Sequence, residues 1–134
     1  MYASSNAALL NKYQSDSVMT ASPIDLVIML YEALIKQVKL ADIFMEQGDY
    51  EKANQHLTKA QDIVSELLHS LDLRYSIASD LMRLYDFLLQ ELVQINLHKE
   101  RDRIPGILEV VGGLRYAWVA IRNAGDGRAY AIEE

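Results

Sequence analysis

Apolar residues recur along most of this chain at spacings of three and four, the period of an α-helix, and nowhere alternate with polar ones as strands require. Between Ile77 and Leu97 one row consists of Ile77, Leu81, Leu84, Leu88, Leu92 and Ile95. A second row of Met82, Tyr85, Leu89 and Val93 lies beside it. Together they span an apolar arc of roughly 180°, where a helix at the surface of a small bundle needs about 100°. The first long stretch repeats the surplus. Leu26, Leu30, Ala33, Leu34, Gln37, Ala41 and Phe44 form its core row, and Ile24, Ile28, Tyr31 and Ile35 form another. Such second rows need a cover, either a neighbouring helix or a segment of another protein.

Punctuation sets the boundaries. Ser22, Pro23 and Asp25 have the form of an N-cap, an N1 proline and a capping-box acid, so the first helix is predicted over 22–47. Gly48 stops it and Asp49 caps the next, over 50–72, with Ala53, Leu57, Ala60, Val64, Leu68 and Leu71 turned inward. Tyr50 is placed on the same inward row, and Glu51, Lys52, Lys59, Asp62 and Glu66 face water. A third helix follows over 76–98. The fourth, over 104–124 with Pro105 at its start, offers Ile107, Val110, Val111, Leu114, Trp118 and Ile121 as one stripe. Short connections between helices of this length predict an all-α, antiparallel up-down-up-down four-helix bundle. It is a single domain over 1–134 whose first 21 residues are a mobile N-terminal arm, with Leu9, Leu10, Tyr13 and Val18 as its few anchors. Gly112 and Gly113 are anomalous inside a helix, where each costs about 1 kcal/mol relative to Ala. Close packing or a kink is the expected reason.

Charge narrows the partners. Thirteen basic residues stand against nineteen acidic ones, a net charge of −6, and the basic ones are scattered. Nucleic acid and anionic membrane are not expected partners. Neither a membrane-spanning run nor a signal peptide is apparent, so a cytoplasmic location is the expectation. With no cysteine, disulfides and thiolate chemistry drop out.

Catalytic readings are weak. Glu66 and His69 have the Glu-x-x-His spacing of di-iron bundles but no second motif to complete a site. His56 and Lys59 have the spacing of histidine phosphotransfer domains, the alternative reading for a four-helix bundle of this size, although Ala60 stands where that motif has Gly. His98 suits a helix C-terminus. Neither a catalytic triad nor a phosphate loop can be assembled, so no enzyme activity, cofactor or metal is expected.

Other residues carry a resemblance. Tyr13, Thr20-Ala21-Ser22-Pro23, Leu26, Met29, Leu30 and Tyr31 resemble the opening of the flagellar secretion chaperone FliS family. The similarity continues in order through Gly48-Asp49, Lys59-Ala60, Ile63, Leu67, Leu71-Asp72, Leu81, Leu84, Tyr85-Asp86, Leu92 and Asn96. It closes with Glu109-Val110, Leu114-Arg115, Ala117 and Trp118. Ile95, Gly112-Gly113 and the tail from Gly125 to Glu134 depart from it. The resemblance implies a non-enzymatic export chaperone. It would bind the C-terminal amphipathic segment of flagellin, prevent premature polymerisation and deliver it to the flagellar type III export gate. A co-chaperone or regulator is a further partner class, and the chaperone itself would be a monomer or weak homodimer. On this reading the second rows form a flagellin-binding groove of Ile28, Tyr31, Ile35, Met82, Leu89 and Val93, flanked by Ile63 and Leu67. Leu9, Leu10 and Tyr13 would cap it until flagellin displaces them.

Overall fold

The computed structural model describes residues 22–125, and its helices follow the predicted punctuation closely. They are α1 (Pro23–Glu46), α2 (Tyr50–His69), α3 (Ser76–His98) and α4 (Ile104–Asn123), with a short 3₁₀ turn at Arg101–Arg103 before α4. Strands are absent among the described residues. The Ser22 side chain accepts the Asp25 backbone N–H, and the Asp25 carboxylate in turn accepts the Ser22 N–H, a complete capping box. Gly48 takes φ +78, the left-handed conformation that ends α1 without a Cβ penalty, and Asp49 caps α2 through the Lys52 N–H. α2 stops at His69, three residues before the predicted end, where the Ser70 hydroxyl donates to the Leu67 carbonyl and the chain turns. Lys99 ends α3 in a left-handed conformation, a role usually taken by glycine.

The four helices do not share their surfaces evenly. α1 packs closely against both α2 and α4, and α2 against α3, whereas α3 and α4 approach each other little. Two ion pairs run along the α1–α4 seam, Asp25 with Arg122 at 3.1 Å and Glu32 with Arg115 at 2.7 Å, and Arg101 in the turn before α4 pairs with Asp42 of α1 at 2.7 Å. All are partly exposed, so each contributes little to stability, but together they fix the register of the two helices. On the other side, Asn96 of α3 donates to Asn54 of α2 at 2.7 Å. A hydrogen bond of 2.7 Å between the Tyr31 and Tyr85 hydroxyls crosses the centre from α1 to α3, deep in the core.

This arrangement decides which apolar rows are buried. On α1 the second row proves to be core: Ile24, Ile28 and Tyr31 are buried, while Leu26, Leu30 and Phe44 are only partly so. On α2 the inward face is rotated toward Ile63 and Leu67, leaving Tyr50 exposed and Leu68 and Leu71 half-buried. α3 buries Ala78, Leu81, Tyr85, Leu88, Leu92 and Ile95, and half-exposes Ile77 and Leu84. α4 buries Ile104, Ile107, Val111 and Trp118. By length and composition the stretch Arg101–Asn123 is apolar enough to cross a membrane, although only 22% of that window is buried. Leu108, Val110, Leu114, Val119 and Ile121, outside the fully buried set, are half-buried against the edge of the core.

Candidate functional site

Side chains on the outer flank of α3 make the candidate site. The core stripe of α3 is centred on Leu81, Tyr85, Leu88 and Leu92, and one step around the helix stand Met82, Leu89 and Val93. Met82 is 37% exposed, and Leu89 and Val93 are half-buried. An open recess of about 400 Å³ lies against this flank, lined by Leu89, Gln90, Glu91, Val93 and Gln94. Its apolar floor and amide-bearing rim suit an amphipathic segment, whose apolar face would bury against Leu89 and Val93 while its polar backbone meets Gln90 and Gln94.

The frame around the recess is polar and well held. The Asn54–Asn96 bond ties α3 to α2 at one end, and the Asn96 carbonyl and side-chain oxygens both accept from the Lys99 ammonium. Burial lowers the Lys99 pKa from its ordinary value. Glu91 accepts from Arg103 at 2.9 Å, which ties the same part of α3 to the turn before α4. Leu89 and Val93 are thus presented from a helix braced on both sides.

The other predicted groove residues fall elsewhere. Ile28 is 2% exposed and Tyr31 has no exposed surface, so neither lines an open groove. The reason is topological: α4 lies along the Ile24–Ile28 side of α1, and Tyr31 is bonded to Tyr85 inside the bundle. Ile63 and Leu67 are likewise buried in the core. Ile35 is half-buried against the core cluster on the α4 side of α1, apart from the α3 recess. Of the predicted groove residues, Met82, Leu89 and Val93 keep exposed surface together on α3, and Gln90, Glu91 and Gln94 line the recess beside them. These polar three were missed because periodicity singles out apolar positions only. Leu9, Leu10 and Tyr13 lie outside the described residues.

His56, the candidate for phosphotransfer, is part-buried between α1 and α2. Its Nδ1 lies 2.7 Å from the Gln37 side-chain oxygen, and its ring stacks on Phe44 with centroids 5.4 Å apart and planes 5° apart. Lys52 sits over the other ring of this stack, 5.4 Å from the Phe44 centroid. Burial lowers the His56 pKa, and Lys59 and Lys36 push it the same way. A ring held flat and hydrogen-bonded to a buried glutamine is packed as part of the α1–α2 interface. Glu66 is half-buried and His69 exposed at the end of α2. Among the described residues no three His, Cys, Asp or Glu side chains gather as a metal site.

Comparison with known proteins agrees with the bundle and the sequence pattern. The family model described as "Flagellar protein FliS" matches residues 5–125. The chain is 34% identical over 106 residues to the flagellar secretion chaperone FliS of Bacillus subtilis (strain 168), covering 79% of this chain and 80% of the relative. It is 32% identical over 108 residues to the protein of the same name from Salmonella typhimurium, covering 78% and 80%. The Campylobacter jejuni protein of that name is 29% identical over 120 residues, covering 88% and 94%. A crystal structure of a flagellar chaperone from bacteria shares the fold, with a TM-score of 0.72 at 22% identity, over 87% of this chain and 98% of that one. The match to the family model over most of the chain, with two relatives above 30% identity, establishes that this chain belongs to the flagellar secretion chaperone FliS family.

Proposed function

We propose that this protein is a cytoplasmic export chaperone for flagellin. It binds the C-terminal amphipathic segment, keeps it from polymerising early and passes it to the flagellar type III export apparatus. The observation that carries this reading is the apolar flank of α3, where Met82 is exposed and Leu89, at the edge of the core, and Val93 are half-buried. Burying a Leu, Met or Val side chain fully is worth about 1.5 to 3 kcal/mol, so an amphipathic partner laid along this flank gains several kcal/mol from three residues. A flagellin end that is disordered before binding gives part of that back in ordering, which favours a long, wrapped contact over a compact one. Names carried by the relatives support the same function. An arm bearing Leu9, Leu10 and Tyr13 that competes for the groove belongs to the same proposal, on the strength of the family resemblance.

The direct test is co-purification with flagellin from the same genome, with and without its C-terminal segment. Full-length flagellin should form a stoichiometric complex and the truncated form should not. Equal binding of both forms would move the recognised segment elsewhere, and absence of binding to either would overturn the reading.

A further inference from the structure

Basic residues scattered along the sequence divide by type in the structure. Each arginine among the described residues is held by a carboxylate: Arg74 by Asp72, Arg83 by Asp80, Arg101 by Asp42, Arg103 by Glu91, Arg115 by Glu32 and Arg122 by Asp25. Lys52 pairs with Asp49 at 3.9 Å, and Lys99 donates to Asn96. Lys36, Lys39 and Lys59 remain, with no carboxylate of the described residues within ion-pair distance. These three gather on the α1–α2 hairpin. Lys36, Leu40 and Ile43 stand at i, i+4 and i+7 on α1, with Lys39 one turn from Lys36, and Lys52, His56 and Lys59 repeat that spacing on α2. The Phe44–His56 stack and the His56–Gln37 hydrogen bond hold the two rows side by side across the seam. After burial, Lys59 and Lys36 are what lower the His56 pKa, so both ammonium groups reach the ring with their field. Beside them Ile43 is 46% exposed and Leu40 half-buried, so the seam offers apolar contact as well as positive charge.

We propose that this seam is a second docking surface, for an acidic amphipathic helix of another protein. Charge complementarity argues for that occupant. The ammonium groups of Lys36, Lys39 and Lys59 can each accept a partner's carboxylate without giving up a pair inside the chain, which no arginine of the described residues can do. The apolar residues argue for protein over other polyanions, since Ile43 and Leu40 match the apolar side chains of a helix and not a phosphate backbone. Net charge points the same way: at −6 the chain repels an extended polyanion or an anionic bilayer beyond the patch, whereas a short helix sets its carboxylates against the lysines alone. The surface is separate from the α3 recess, which is lined by α3 residues only, so occupancy of the two can be measured independently.

The test titrates the full chain with a synthetic peptide of about 18 residues, long enough to form helix, that carries Glu and Leu on one face. Amide resonance shifts should gather around Lys36, Ile43, His56 and Lys59, and the same peptide with Lys in place of Glu should not bind. Lys36→Gln with Lys59→Gln should weaken binding roughly three- to tenfold, with circular dichroism unchanged, as expected when two exposed charge pairs are lost. Arg83→Glu on α3 changes the net charge by the same two units and should leave binding as it was. Ile43→Ser should weaken binding while preserving its salt dependence. Equal weakening by Arg83→Glu would overturn the proposal, since net charge alone would then explain the binding. Shifts confined to the α3 recess would overturn it, as would tighter binding of a single-stranded oligonucleotide or of anionic vesicles that the paired Gln substitutions abolish. So would self-association of the chain through Lys36 and Lys59, which would assign the seam to a second copy.

Discussion

The α1–α2 hairpin and the α3–α4 pair carry the same kind of apolar surplus and use it differently. In α1 both rows are consumed, because the helix has α2 on one side and α4 on the other. In α3 the second row divides: Tyr85 is buried in the core, whereas Met82 is exposed and Leu89 and Val93 are half-buried. The width of an apolar arc therefore reports how many neighbours a helix could accept, and the topology decides how many it has. Binding surface arises where the two numbers differ.

The sharpest test contrasts equivalent changes in the two regions. Ile28→Asp places a carboxylate in the buried α1–α4 contact, where an unpaired charge has no compensation, and should unfold the domain or lower its melting temperature by well over 10 °C. Trp118→Ala in the facing stripe of α4 should cost about 3 to 5 kcal/mol. If Ile28→Asp kept native helicity and melted near the parent, the α1 row would be open surface and the comparison would fail.

The same change on α3 should act on binding and spare the fold. Val93→Asp and Leu89→Asp alter half-buried positions beside the recess and should cost about 1 kcal/mol of stability or less. Flagellin affinity, measured by calorimetry, should drop at least about tenfold, the equivalent of about 1.4 kcal/mol. Undiminished binding by a folded Val93→Asp variant would place the groove on another face.

These contrasts mark what could be read from residues alone. Helix boundaries were legible because they depend on local chemistry: the Ser22 and Asp25 box, the Gly48 stop and the Asp49 cap each act within one turn. The placement of Ile28, Tyr31, Ile63 and Leu67 was not legible, since it depends on which helices lie beside α1 and α2, a long-range property absent from periodicity. Half the predicted groove went into the core for that reason. Met82, Leu89 and Val93 keep exposed surface while Tyr85 of the same row is buried, a division that periodicity cannot show.

Gly112 and Gly113 offer a gentler probe of the open side. A Cβ built at either meets nothing within 4 Å, so among the described residues neither glycine is required by packing and the expected close approach is not there. Gly113→Ala should stabilise the free protein by about 0.5 to 1 kcal/mol through helix propensity, a rise of a few degrees in melting temperature. At Gly48, in the α1–α2 turn, the same substitution would cost stability, because φ +78 is strained for any residue with a Cβ. A melting temperature that fell would show that Gly113 is not the open helix position that its surroundings indicate.

The smallest effect is a pH dependence localised to the hairpin. Burial lowers the folded-state pKa of His56 below its ordinary value of 6.5, with Lys59 and Lys36 acting in the same direction. The unfolded chain therefore binds the proton more readily than the folded one as pH falls through 6.5, so stability from this group is complete above that value and is lost below it. Carboxylates do not share this window: Asp72, held down to about 2 by its hydrogen bonds to Arg74, and Asp25, lowered by the Ser22 backbone N–H and Arg122, lose their contributions only in the acid range below about pH 4. Thermal melts of the parent should fall between pH 7.5 and 5.5, and those of His56→Gln should be flatter over the same range. If the variant fell as steeply as the parent, the dependence would come from another group, and the stacked, glutamine-bonded imidazole would have no part in setting the stability of α1 against α2.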